Sequence, residues 1–215
     1  MGRAFLSRFA LLRTMPAYKL HYFDARGRAE VIRLIFAYKG VEYEDKRYKW
    51  EDFASKEIKE SMPLEQMPAL ELDGVRYGQS GAIARYLARE YGLTPECTME
   101  QFFVDMFCGC LDDLGDKWVK AQGDEKKLQE YKDETIPSML AKIEKIVDQE
   151  DTFKTGFFGT KISLADLTLV AYGYFALEQN KEAFKNAPKL FKLYESISKI
   201  PEIAAWVKKR PKTEY

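Results

Sequence analysis

"YKLHYFDARGRAEVIRLIFAYKG", residues 18–40, holds the signals of a strand and of a helix with a cluster of charge between them. Tyr18 to Phe23 are mostly apolar or aromatic, as a strand requires. Val31, Leu34, Ile35 and Tyr38 then recur at three- and four-residue steps, which makes one face of a helix that Gly40 can stop. The polar residues around Arg26, Gly27 and Arg28 fall at the handover from strand to helix, a place where sites often form. Gly27 lets the backbone turn tightly there.

Working outward, "VEYED" (41–45) predicts a second strand, and "PALEL" (68–72), Asp73-Gly74 and "VRY" (75–77) predict a hairpin on a DG turn. Pro68 opens that hairpin, where a cis Met67-Pro68 bond is one way to place a residue without a ladder N–H. Ala82, Ile83, Tyr86 and Leu87 mark a helix that ends near Gly92, with Ser80 in the N-cap position. The order is β-α-β, then β-β-α. Beyond residue 92 the strand signal stops. Met99, Phe102, Phe103, Met106, Phe107, Cys110, Leu111, Leu114 and Trp118 follow helical spacing, and Tyr131, Met139, Leu140, Ile143 and Val147 continue it with a kink expected at Pro137. "ISLADLTLVAYGYF" (162–175) and "PEIAAWVKKRP" (201–211) are the last helical segments. In the first of these, Ser163 and Asp166 form a capping box, with Ile162 and Leu167 placed as its hydrophobic staple, a structural device. The expected organisation is an α/β domain over 15–92, a linker at 93–97 and an all-α helical domain over 98–215.

Composition narrows the function. Lys+Arg and Asp+Glu balance at 34 each, so bulk charge does not point to nucleic acid or to acidic lipid. No run reaches the ~18 apolar residues of a membrane span. Cys97, Cys108 and Cys110 are an odd count without CxxC spacing, which argues against a secreted disulfide framework and against a dithiol redox pair. Cys108 and Cys110 read most simply as buried apolar residues. With a single histidine, a dedicated transition-metal site is not expected. These features fit a cytoplasmic protein. Residues 1–14, "MGRAFLSRFALLRT", are an Arg-rich, acid-free extension of the kind that targets organelles, and Met15 offers an alternative start.

The stretches 18–38, 67–90, "LDD" (111–113), "SLADL" (163–167) and 200–211 together resemble the cytosolic glutathione transferases, the sigma class above all. That class includes glutathione-dependent prostaglandin D synthases and invertebrate transferases. The resemblance implies an α/β thioredoxin-like N-terminal domain, an all-α helical C-terminal domain and a homodimer, with glutathione as co-substrate and no metal. It also assigns roles. Tyr22 points its hydroxyl at the glutathione sulfur, and Arg28 lies near the thiolate. Gln79 and Ser80 hold the γ-glutamyl end, and Met67, before Pro68, pairs with the cysteinyl backbone. Lys59 reaches the glycyl carboxylate with Gln66 close by, and Asp113 reaches across the dimer to the γ-glutamyl ammonium held by the partner subunit. Phe23, Gly115, Trp118 and Tyr172 are expected around the second substrate, and His21 is a bystander on the opposite strand face.

One departure stands out: where the class has a tryptophan upstream of Lys59, this chain has Phe53, with Trp50 three residues earlier as a substitute. The activity implied is detoxifying conjugation of glutathione to hydrophobic electrophiles. Prostaglandin-H D-isomerisation, a peroxidase reaction, or a non-enzymatic crystallin-like or ligand-carrying role are the other readings. No insertion in the helical half and no loss of Tyr22, Arg28, Gln79 or Ser80 marks an eroded site.

Overall fold

The computed structural model describes residues 17–149, 158 and 161–213. The extension 1–14 and Met15 lie outside the described residues. Strand β1 (Tyr18–Phe23) leads through a single 3₁₀ turn at Gly27–Ala29 into α1 (Glu30–Lys39). Helix α1 buries Ile32, Leu34, Ile35 and Phe36, the last against Tyr18 of β1, and Gly40 closes it in the left-handed conformation (φ 62°). Strand β2 (Glu44–Tyr48) follows, then the short helices α2 (Trp50–Phe53) and α3 (Lys56–Glu60), a 3₁₀ turn at Pro63–Glu65, β3 (Ala69–Leu72) and β4 (Val75–Tyr77). The sheet order is β2-β1-β3-β4, with β1 and β2 parallel and the other pairs antiparallel. Asp73 (φ 48°) and Gly74 (φ 84°) make the two-residue turn of the hairpin, and the Met67-Pro68 bond is cis. Helix α4 (Ser80–Glu90) completes this half.

Two boundaries differ from the sequence reading. The second strand runs 44–48 rather than 41–45, because Val41 is used to close α1, its N–H bonding to the Phe36 carbonyl. Tyr43 is stacked on Phe36, and pairing with β1 begins only at Glu44 and runs to Tyr48 opposite Phe23. Ser80 is the first residue of α4 rather than its N-cap. Gln79 takes that place, at φ 70° and ψ 100°.

The second half is helical: α5 (Thr98–Ala121), α6 (Glu125–Glu130), α7 (Ile136–Gln149), α8 (Leu164–Gln179), α9 (Pro188–Ser198) and α10 (Pro201–Lys209). No strand follows β4 among the described residues. The kink expected at Pro137 takes the form of a π-helical stretch, Tyr131–Thr135, just before the proline, which sits in the first turn of α7. Helix α8 is apolar on nearly every side and is the centre of this half, as an all-round hydrophobic helix must be. Its N-terminus carries the predicted capping box: the Asp166 carboxylate accepts from the Ser163 N–H (2.7 Å) and hydroxyl (2.9 Å). A third donor, the Phe158 N–H at 3.1 Å, was not expected. Burial nevertheless pushes the Asp166 carboxyl up to about 6. Cys108 is buried as expected, beside the Thr168 hydroxyl, whereas Cys110 is only half-buried.

The halves are joined by buried polar contacts. Glu30 accepts from Trp206 Nε1 (2.9 Å) and Arg210 (2.5 Å), tying α1 to α10, and the Leu164 N–H bonds to the Leu93 carbonyl. A buried ion pair adds little net stability but is costly to break from one side, so it fixes how the halves meet. Among the described residues no helix is long and apolar enough to cross a membrane.

Candidate active site

Strand alternation sends Tyr22 to the face of the sheet covered by α1, and His21 to the other. There His21 is buried, contacting the Tyr48 hydroxyl (2.8 Å) and Glu71 (3.1 Å), and burial and then Arg76 hold its pKa below the ordinary 6.5. The Tyr22 hydroxyl is 3.1 Å from the Arg28 backbone N–H, which donates to it. Burial raises the phenol's pKa, opposed by that hydrogen bond and by the Arg28 and Arg33 charges. The hydroxyl is therefore protonated at neutral pH and keeps its own hydrogen to donate.

The loop that makes this possible is held from below. Arg33, fully buried on α1, donates to the carbonyls of Ala25 (2.7 Å) and Arg26 (3.4 Å) and to Asp45 (3.2 Å), and its guanidinium lies 5.8 Å from the Tyr22 ring centroid. Gly27 passes over the phenol at φ +38°, so close that a β-carbon there would be 2.5 Å from the hydroxyl oxygen. Only glycine fits.

Tyr22 opens onto a cavity of about 140 Å³ shared by the two halves of the chain. Arg28, Gly115, Trp118 and Tyr172 line it. Gly115 is needed beside Tyr172, whose ring would be 2.9 Å from a β-carbon. Arg28 and Tyr172 also line a second, small cavity of about 20 Å³ that reaches Ser80 at the start of α4. Arg28 and Tyr172 thus border both the cavity at Tyr22, Gly115 and Trp118 and the small one at Ser80. A wider cleft of about 320 Å³, between Leu93–Cys97 and Lys161–Ser163, lies away from these residues and offers none of their chemistry.

Phe23 is corrected. One residue on from Tyr22, it is on the other strand face, outside the cavity, stacked beneath Trp50 with ring centroids 3.6 Å apart. Trp50, which the resemblance put at the glycyl end of glutathione, instead lines the Tyr22 cavity and is 59% exposed. Phe53 meets Phe23 edge-on (5.2 Å), Lys59 pairs with Glu65 (3.4 Å), and neither faces the Tyr22 cavity. Asp113 is exposed on α5.

Gln66, Met67 and Pro68 follow a turn with two left-handed non-glycine residues, Leu64 (φ 56°) and Glu65 (φ 52°). Gln79 (φ 70°) is a third, and the two segments touch where Gly78 backs onto Pro63. Such conformations cost about 1–3 kcal/mol each and persist where their surroundings over-determine them, commonly at ligand clamps. Here they flank the N-terminal end of β3 and the N-terminus of α4, where the first backbone N–H groups of the helix favour a carboxylate.

Charges that the sequence reading missed lie on α5. Asp116 pairs with the Arg28 guanidinium (2.5 Å), and Asp112 accepts from the Tyr172 hydroxyl (2.7 Å). Partial withdrawal from water raises the Asp112 pKa, and burial followed by Asp112 itself pushes Tyr172 up. Their four-residue spacing in "DDLGD" was the available signal, since it puts both carboxylates on one helix face.

Known proteins agree with this fold. Residues 18–89 match the model of the glutathione S-transferase N-terminal domain, and residues 112–210 that of its C-terminal domain. The chain belongs to the glutathione S-transferase family, a family of enzymes that use glutathione. Within it the relatives are of the sigma class: the chain is 38% identical to hematopoietic prostaglandin D synthase of Gallus gallus (93% of this chain, 99% of that one). It is also 34% identical to S-crystallin SL11 of Nototodarus sloanii (94% and 100%). Among solved structures, NaGST-2 superimposes with a TM-score of 0.82 at 31% identity, over 94% of this chain and all of that one.

Proposed function

We propose that this chain conjugates glutathione to small hydrophobic electrophiles, with Tyr22 activating the thiol. The observation that carries the reading is a buried, protonated phenol whose oxygen is held by the Arg28 N–H at 3.1 Å, at the wall of a cavity that Arg28 also lines. A free thiol titrates near ~8.5, so only a few per cent is thiolate at neutral pH. Lowering that value by about two units takes ~2.7 kcal/mol of preferential stabilisation of the anion. A donated phenol hydrogen bond with a nearby cation is of that size. In the reaction the thiol proton leaves to solvent, the sulfur lone pair bonds to the electrophilic carbon, and the leaving group departs with its electron pair.

The remaining assignments follow the same logic. Gln79, Ser80 and the α4 N-terminus take the γ-glutamyl carboxylate, the Met67 backbone pairs with the cysteinyl unit, and Gln66 and Lys59 serve the glycyl end. Reaching the glycyl carboxylate requires Lys59 to exchange Glu65 for it. Homodimerisation is supported by large apolar side chains left exposed on α5, Met99 (70%) and Phe102 (63%), on the helix that also carries Asp113.

Conjugation is the reading preferred here because the cavity at Tyr22 is walled by apolar and aromatic side chains, Trp50, Trp118 and Phe175 among them, which suit a hydrophobic electrophile. The test is conjugation of glutathione to chlorodinitrobenzene by the parent and by Tyr22→Phe. The expected loss is about tenfold to a thousandfold in kcat/KM, the worth of one hydrogen bond to a developing anion. Equal activity in both proteins refutes the role of Tyr22, and a parent that binds glutathione without turnover makes the chain a carrier.

A further inference from the structure

Arg28 touches the candidate site twice, in opposite senses. Its backbone N–H is fixed to the Tyr22 hydroxyl (3.1 Å), while its guanidinium is drawn to Asp116 on α5 (2.5 Å). The second α5 carboxylate on that face, Asp112, is engaged by the Tyr172 hydroxyl (2.7 Å), so Asp116 is the carboxylate paired with Arg28. We propose that Asp116 is a positioning residue: it holds the Arg28 guanidinium on the α5 wall and limits how much of that cation reaches a thiol seated at Tyr22. The inference rests on the proposed roles of Tyr22 and Arg28 and adds a control on them.

The other groups around Arg28 leave Asp116 as the adjustable one. Tyr22 from β1 and Tyr172 from α8 stay neutral, being held well protonated. Arg85 of α4 faces Asp105, and Asp112 is committed to Tyr172. Both members of the Arg28–Asp116 pair are half-exposed, 51% and 49%, so the pair is weak and can exchange with a bound anion. A thiolate therefore competes with Asp116 for one guanidinium. Glu178 on α8 does not enter, because it pairs with Arg26.

The test is the titration midpoint of glutathione bound to the full chain, followed by the ultraviolet absorbance of the thiolate. Asp116→Asn is measured in the parent and in an Arg28→Met background. In the parent background the midpoint is expected to fall by about half a unit to one unit, up to tenfold in the thiolate-to-thiol ratio. In the Arg28→Met background it is expected to move by less than about a fifth of a unit. An equal fall in both backgrounds overturns the proposal, because Asp116 would then act on the sulfur directly through its own charge. No change, or a rise, in the parent background also overturns it, and leaves Tyr22 and Arg28 in place as the thiol's activators. A parent that binds no glutathione overturns both readings together.

Discussion

Gly27→Ala probes the local geometry of the site with the smallest available change. The new methyl carbon would be 2.5 Å from the Tyr22 hydroxyl oxygen, and 3.1 and 3.2 Å from Cε1 and Cζ. Ordinary van der Waals contact begins near 3.4 Å, so the oxygen must retreat by almost 1 Å while the ring carbons need only a few tenths. A misplacement of about 1 Å costs roughly a hundredfold in rate, and kcat/KM for conjugation is expected to fall by about thirtyfold to three-hundredfold. The backbone contributes separately: a left-handed alanine costs ~1–2 kcal/mol, which lowers Tm by roughly 2–8 °C. The two effects separate in a double-mutant cycle with Tyr22→Phe. Without the hydroxyl the 2.5 Å conflict is gone, so Gly27→Ala on the Phe background should reduce the residual rate less than about threefold while costing the same Tm. An equal rate loss on both backgrounds would refute the claim that Gly27 acts through the position of the phenol oxygen. It would make the glycine a folding requirement only.

Other expectations follow from neighbouring contacts. Trp50→Ala removes the outer wall stacked on Phe23 and should raise KM for an aromatic electrophile by about fivefold to tenfold, the worth of one aromatic stack, while calorimetry shows glutathione affinity within about twofold. Asp166→Ala leaves three donors without an acceptor and should cost about 2–4 kcal/mol, read as a Tm lower by roughly 5–12 °C with kcat of the folded fraction unchanged. His21 is held below its ordinary 6.5 by burial, so it is neutral in the folded chain and takes up a proton on unfolding. Its contribution is complete above about pH 6.5 and is lost as pH falls through the lower, folded value. Asp166, raised to about 6, works with the opposite sign over 3.8 to 6, so the His21 share is isolated by comparing urea midpoints of the parent and His21→Gln across acid pH. Identical pH slopes would exclude it.

The parts of the fold that were legible in the sequence are those set by local patterns. Val31 to Tyr38 with Gly40, the Asp73-Gly74 turn, and Ser163 with Asp166 each carry their own instruction within a few residues, and each forms where expected. The second strand was misplaced by three residues because "VEYED" is a plausible strand by composition, whereas its start is decided by α1 capping through Val41 and by register with β1. Ser80 was displaced by one residue because nothing in "QSGAIARY" reveals that Gln79 adopts a positive φ.

The site divides along the same line. Tyr22, Gly27 and Arg28 are six residues apart at most, and the chemistry that joins them is a turn, so a short motif can hold it. Phe23 and Trp50 were not legible in their places, because a strand sends Phe23 to the face opposite Tyr22 and α2 brings Trp50, 28 positions from Tyr22 in the chain, onto the cavity. Asp116 lies 88 residues from the guanidinium it holds. The "DDLGD" spacing puts Asp112 and Asp116 on one helix face but does not say which of them meets Arg28, because that partner comes from the other half of the chain. It follows that the phenol and its glycine are specified by the first thirty residues of the described chain, whereas the tuning of the cation beside them is specified by the helical half. On the proposed roles of Tyr22, Arg28 and Asp116, substitutions in α5 shift the acidity of a bound thiol without disturbing the phenol. The Asp116→Asn titration measures that separation directly.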